Sequence, residues 1–219
     1  MERSIRLGER KRGTIIGAAL ALLMAVVFSL IFYTCNTPLG PAVGSDNAMY
    51  LTMGTALAKG YAPYSEIFDH KGPLLFILQM IPQLFTDGYS TLAVFVQEVL
   101  FLWASLLVLA RMARRLSVPA LLVQIIYLAV YAPLTDGANL TEEYANLFAL
   151  MGFDVMLSVF GEGFDEEKQL FKPAFAIGVT AMLAFMLRAN NMLPLCAGVG
   201  ALAVQEASGR TRNTVLELL

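Results

Sequence analysis

From Thr14 to Thr34 the chain carries no charged side chain. About 20 apolar residues in a helix at 1.5 Å per residue match the ~30 Å hydrocarbon core of a bilayer. Further apolar runs follow at Pro73–Phe85, Tyr89–Ala110, Val118–Pro133, Tyr144–Phe160, Pro173–Ala189 and Met192–Val204. Apolar residues make up 58% of the chain and charged residues 15%, whereas soluble domains carry about 25% charged residues. The charges gather in clumps between the runs, the pattern of an all-α integral membrane protein. The first run follows a basic stretch, Arg3, Arg6, Arg10, Lys11 and Arg12. It is too long for the apolar region of a cleaved signal peptide, and no small-residue cleavage site closes it. The net charge of −2 implies no nucleic-acid partner. Cys35 and Cys196 stand in no metal or redox spacing and read as small apolar side chains.

Topology turns on Pro73–Phe85. As a helix it is about 20 Å long, short of the bilayer core, and it contains Pro82, which removes a hydrogen bond from the ladder. If it spanned, Arg111, Arg114 and Arg115 would fall outside, against the cytoplasmic bias of Lys and Arg. Laid along the outer surface, it leaves Tyr89–Ala110 to carry the chain back inward. The expected protein is then a multi-pass cell-membrane protein with about six transmembrane helices and both ends cytoplasmic. Residues 1–13 form a basic cytoplasmic N-terminus and 14–34 the first span. Residues 35–88 form an outer loop with juxtamembrane helices near 47–59 and 73–85. Spans two to six occupy 89–204, and 205–219 form a cytoplasmic end. Twelve of the fifteen Lys and Arg lie inside in this scheme, including Lys168, Lys172, Arg210 and Arg212; Lys59, Lys71 and Arg188 lie outside.

The same scheme gathers polar residues on the outer side: Asp46, Asp69 and His70 with Lys71, then Asp136, Glu142 and Glu143, then Arg188, Asn190 and Asn191. Cations kept against the topological bias point to a function. Met49, Met53 and Leu57 stand at helical spacing with Tyr50 on the shoulder, as in a short helix lying in the membrane interface. Asp46 at its start is either an N-cap or a catalytic carboxylate, and spacing alone favours the cap. The stretch Gly60-Tyr61-Ala62-Pro63-Tyr64-Ser65-Glu66-Ile67-Phe68-Asp69-His70-Lys71-Gly72-Pro73 leads into a helix opened by proline. Asp69 and His70 can handle protons and Lys71 can bind an anion such as phosphate; the plainer reading is a polar loop entering a surface helix. Glu98 and Asp154 fall within spans and match no motif, so pairing inside the bundle is expected. Asp165, Glu166, Glu167 and Lys168 read as solvated surface, and Trp103 as lipid-facing or packed.

The residues Asp46-x-x-x-Tyr50, Gly60-x-x-Pro63-Tyr64 and Phe68-Asp69-His70-Lys71-Gly72-Pro73-Leu74 together resemble the first outer loop of bacterial GT-C glycosyltransferases. The similar members are the protein mannosyltransferase and aminoarabinose transferase group. Thr141-Glu142-Glu143-Tyr144-Ala145 and Leu187-Arg188-Ala189-Asn190-Asn191 also resemble segments of that family. The resemblance covers nearly the whole chain. Family members are considerably longer, so the expectation is an N-terminal module of such an enzyme, truncated or a fragment.

That resemblance implies transfer of a hexosyl or pentosyl group from a polyprenyl-phosphate carrier to an acceptor on the outer face. It places the base at Asp46, with Asp69 as second acid. Some relatives carry that acid directly before the lysine, where His70 stands, so Asp69 and His70 both stay open. Lys71 and Arg188 are the phosphate candidates, since a cation at headgroup depth stabilises the leaving phosphate. Arg has the better fork for phosphate oxygens. Tyr50, Tyr64, Glu142, Glu143 and Asn190 complete the expected substrate contacts. The family includes members that need no metal, no metal spacing stands out, and no cofactor beyond the lipid-linked donor is implied; a divalent metal stays open. The competing readings are a transporter or flippase-like protein, favoured only by Glu98, Asp154 and the Gly-rich last run, and a non-catalytic membrane scaffold. Transporters keep their polar sites near the midplane on repeated halves, and no repeat is visible here.

Overall fold

The computed structural model describes residues 2–39, 44–86, 90–162 and 171–204. The expected solvated loop 165–168 and the cytoplasmic end 205–219 lie outside them. Among the described residues every element is helical, and no strand forms. Helix α1 is Glu2–Phe32, α2 Ser45–Ala58, α3 Pro73–Gln83, α4 Thr91–Arg115, α5 Ala120–Tyr131, α6 Thr141–Glu162 and α7 Phe171–Phe185. A last apolar helix, α8 (Ala189–Val204), opens with a 3-10 turn at Ala189–Met192. Among the described residues two segments are long and apolar enough to cross a bilayer, Arg12–Phe32 in α1 and Thr91–Arg115 in α4. Shorter apolar helices are Pro73–Gln83, Ala120–Leu134, Phe171–Phe185 and Ala189–Val204.

Helix α4 is the hub, touching α1, α3, α5 and α6. Its seam with α1 and α5 holds Ala21, Ala25, Phe28, Leu102, Leu106 and Tyr131. The Trp103 indole donates to the Ala18 carbonyl at 3.0 Å, so this side chain is packed on α1. Several helices are inside-out by the standard of a soluble protein. On α5, Leu121, Leu122, Ile125 and Ile126 face outward while Gln124 is buried and donates to the Leu106 carbonyl. On α7, Phe175, Val179 and Met182 face out while Thr180 is buried. Water would make that arrangement costly. A lipid surround removes the hydrophobic penalty and leaves polar side chains to bond between helices. Asp154 follows the same rule. Buried on α6, it accepts from the Arg111 Nε at 2.6 Å and the Arg115 Nε at 2.9 Å, both from α4. The expected pairing of Asp154 within the bundle is present.

Two details of the first loop differ from the sequence reading. Helix α2 starts at Ser45, and its N-cap is Gly44 with no side-chain cap bond. Asp46 is therefore not the cap. It lies inside the first turn, where a carboxylate still favours the positive end of the helix dipole. The buried face of α2 is Asn47, Tyr50, Leu51 and Gly54, at i, i+3, i+4 and i+7, with Met53 also buried. Met49 and Leu57 are only partly covered. The helix is docked on α3, with Tyr50 on the buried face and not on its shoulder. Gly54 allows that docking: a Cβ there would stand 2.5 Å from the Gln79 backbone carbonyl. Helix α3 begins with Pro73 at its first position and runs through Pro82 to Gln83, the missing Pro82 N–H costing it one bond of the ladder.

Candidate functional site

The loops between helices meet at one end of the bundle. The Cys35 N–H donates to the Gly137 carbonyl at 2.9 Å. The Gly72 N–H donates to the Leu187 carbonyl and the Leu74 N–H to the Met186 carbonyl, both at 3.1 Å. A Cβ at Gly72 would collide with the Met186 carbonyl, so glycine is needed for this close approach. These bonds clamp the Asp69–Gly72 segment to the α7–α8 turn that carries Arg188. Under them, Tyr50, Leu75, Tyr144, Ala184 and Leu187 form one apolar floor.

Tyr50 organises the charged groups above that floor. Its hydroxyl donates to Asp46 Oδ2 at 3.3 Å, and the Lys71 ammonium lies over its ring, 5.9 Å from the centroid. Burial, then the Asp46 charge, pushes the Tyr50 phenol up, so it stays a donor to the carboxylate. Asp69 and Glu142 are also close enough to act on that phenol. Lys71 is buried, and among the described residues it forms no ion pair. Arg188 Nη1 meets Glu142 Oε1 at 2.7 Å, both side chains about half exposed. Such exposed pairs contribute only about 0–1 kcal/mol, so a phosphate can replace Glu142 at little cost.

Asp69 turns into its own loop. Its Oδ1 accepts from the Lys71 N–H at 3.2 Å and meets His70 Nδ1 at 2.8 Å, while its Oδ2 is buried without a partner. The His70 ring itself is exposed. Tyr64 adopts φ 68°, a left-handed conformation that is strained for an aromatic residue. It is held by its N–H to the Ile67 carbonyl at 2.6 Å and its hydroxyl to the Lys71 carbonyl at 2.8 Å. Tyr64 therefore sets the Lys71 backbone. Burial, then the Asp69 charge, pushes its phenol up.

The structure thus gathers Asp46, Tyr50, Asp69, Lys71, Glu142 and Arg188. Glu143 departs from this group: it is buried, and its Oε2 accepts from the Asn139 N–H at 2.8 Å. Asn190 is exposed on the 3-10 turn. Among the described residues no three His, Cys, Asp or Glu converge as metal ligands.

Sequence reasoning passed over an amide network that supports the site. Asn36 and Asn47 exchange side-chain bonds at 3.1 and 3.2 Å. Asn139 donates to Asn47 Oδ1 at 2.5 Å and accepts from Gln79 at 2.6 Å and from the Tyr144 hydroxyl at 2.7 Å. All five side chains are buried. The available signal was amide residues bordering apolar runs, which is weak without knowing what they face. Comparison with protein-family models, curated proteins and solved structures finds no match to this chain.

Proposed function

We propose that the chain is a membrane glycosyltransferase, or the N-terminal part of one, of the GT-C type suggested by the first-loop residues. It transfers a sugar from a polyprenyl-phosphate donor to an acceptor on the outer face. The observation that carries this reading is Lys71: a lysine with a buried stem and no carboxylate partner among the described residues, its ammonium over the ring of the Tyr50 that also holds Asp46. A base and an unneutralised cation beside one another are what the displacement needs. The acceptor hydroxyl gives its proton to Asp46 as its oxygen bonds to the anomeric carbon. The bond from that carbon to the phosphate oxygen breaks, and the lipid phosphate leaves toward Lys71 and Arg188. Asp69 holds the lysine segment in place.

Polyprenyl-phosphate binding gives the direct test. Lys71→Ala is expected to weaken it by about tenfold or more, the loss of a charge-assisted bond, and Arg188→Ala by a similar factor. Unchanged affinity in both variants removes these cations from the donor site.

The reading includes six spans with both ends cytoplasmic and α3 outside the membrane core. Its supports are the distribution of Lys and Arg, the outward apolar faces of α5 and α7, and the meeting of the loops at the bundle end opposite Arg111 and Arg115. A cysteine in place of Arg114, with Cys196→Ser as background, is expected to react with an impermeant thiol reagent only from the cytoplasmic side. Reaction only from outside sinks this topology. The transporter alternative loses Asp154, which is occupied by two arginines, and rests on Glu98 and the Gly-rich last run.

A further inference from the structure

Where α1, α4, α5 and α6 meet, beneath the loops, a cavity with room for about one water molecule is lined by Tyr33, Glu98, Ser105, Tyr127, Tyr131 and Glu143. Glu98 is 2% exposed and Glu143 8%. One oxygen of each carboxylate is already engaged: Glu98 Oε2 accepts from Asn36 Nδ2 at 3.3 Å, and Glu143 Oε2 from the Asn139 N–H. The other oxygen of each, Oε1, is shut off from solvent and has no partner at ordinary hydrogen-bond distance, although the Tyr131 hydroxyl is near enough to act on Glu143.

The groups around the pair supply no positive charge. From α1 and the turn after it come Tyr33 and Asn36, from α2 Asn47, from α5 Tyr127 and Tyr131, and from α6 Tyr144 and the acidic Glu142. Among the described residues Arg111, Arg115, Arg188 and His70 make their ion pairs elsewhere, and none reaches Glu98 or Glu143. Two uncompensated carboxylates in one low-dielectric space are strongly unfavourable. Among the described residues none supplies the compensating charge.

We propose that this cavity binds a small hard cation from solution, held between Glu98 Oε1 and Glu143 Oε1 with the Tyr33 and Tyr131 hydroxyls as neighbouring oxygens. A lining without nitrogen or sulfur donors suits a proton, Na⁺, Mg²⁺ or Ca²⁺ over softer metals. No third acid, histidine or cysteine joins the pair among the described residues. Binding ties α4 to the start of α6. Through Glu143 Oε2 it also steadies the loop where Asp136, Gly137, Ala138 and Asn139 all have positive φ.

The test uses the whole chain in detergent micelles and reads the thermal unfolding midpoint. Measurements start in a chelator-treated choline buffer, add Na⁺, Mg²⁺ or Ca²⁺ singly, and then vary pH without metal. The wild-type midpoint is expected to rise by about 3 °C or more with one of these metals, or on acidification if the cation is a proton. Glu98→Gln and Glu143→Gln should each lose that response, and the half-exposed Glu142→Gln should keep it. A midpoint that none of these ions moves, or a response retained in both glutamine variants of the pair, overturns the proposal. If those variants fail to fold, the wild type still decides: tyrosine-sensitised Tb³⁺ emission displaced by Ca²⁺ supports a metal, and a protonated-carboxyl infrared band at neutral pH supports a proton. Absence of both overturns the proposal. No sugar transfer is measured, so the result stands apart from the glycosyltransferase reading.

Discussion

On the transferase reading, Asp46→Asn is expected to lower the rate of sugar transfer by on the order of a hundredfold or more while leaving the fold intact. The amide keeps the acceptor oxygen that receives the Tyr50 hydroxyl, but it cannot take the proton of an acceptor hydroxyl. The structure sharpens this test because Gly44, not Asp46, caps α2. A rate loss therefore cannot be traced to a lost cap. The measurement is turnover with a polyprenyl-phosphate sugar, alongside the unfolding midpoint as a control for folding. Near-normal turnover in Asp46→Asn with none in Asp69→Asn would move the base to Asp69. Activity in both would end the carboxylate mechanism for this protein.

At the other end of the bundle, removing both partners of Asp154 is expected to cost more stability than removing Asp154 itself. The Asp154 side chain is 1% exposed, whereas those of Arg111 and Arg115 are 58% and 36% exposed. Arg111→Gln with Arg115→Gln strands a buried carboxylate, a loss of about 3–5 kcal/mol. Asp154→Asn leaves two arginines that can extend to solvent, and the amide still accepts a hydrogen bond. Its cost is expected to be about 1–3 kcal/mol. Denaturant unfolding of the micelle-embedded protein measures both. Equal losses, or a smaller loss in the double arginine variant, would show that the buried carboxylate is not held by these partners.

Most helix positions were legible because a long uncharged run, a proline or a cluster of arginines acts on the few residues around it. Helix α3 begins at Pro73 for a reason visible in the sequence, the fixed φ and missing N–H that suit proline to a first helical position. Helix α1 extends back through the basic stretch as far as Glu2, because Arg and Lys are good helix formers and only their charge had suggested a boundary there. The cap of α2 was misjudged by two residues. Gly, Ser and Asp stand in succession at its start, all are competent at a helix N-terminus, and no local rule picks one.

The site divides along the same line. That Asp46, Tyr50, Lys71, Glu142 and Arg188 belong to one end of the molecule was readable from charge distribution and run length. Which of them touch was not. Glu142 and Glu143 are neighbours in sequence, yet on a helix they point about 100° apart. One reaches Arg188 at the surface and the other faces the buried cavity with Glu98. That Asp154 needed a partner was clear from its apolar setting; that the partners were Arg111 and Arg115 was not. Composition and run length alone determined that this chain is helical and carries segments able to cross a membrane, since those properties depend on each residue and its near neighbours. Only the tertiary structure decided which acids face the loops and which lie buried without a counter-charge. That outcome depends on how each helix is rotated against contacts distant in the chain.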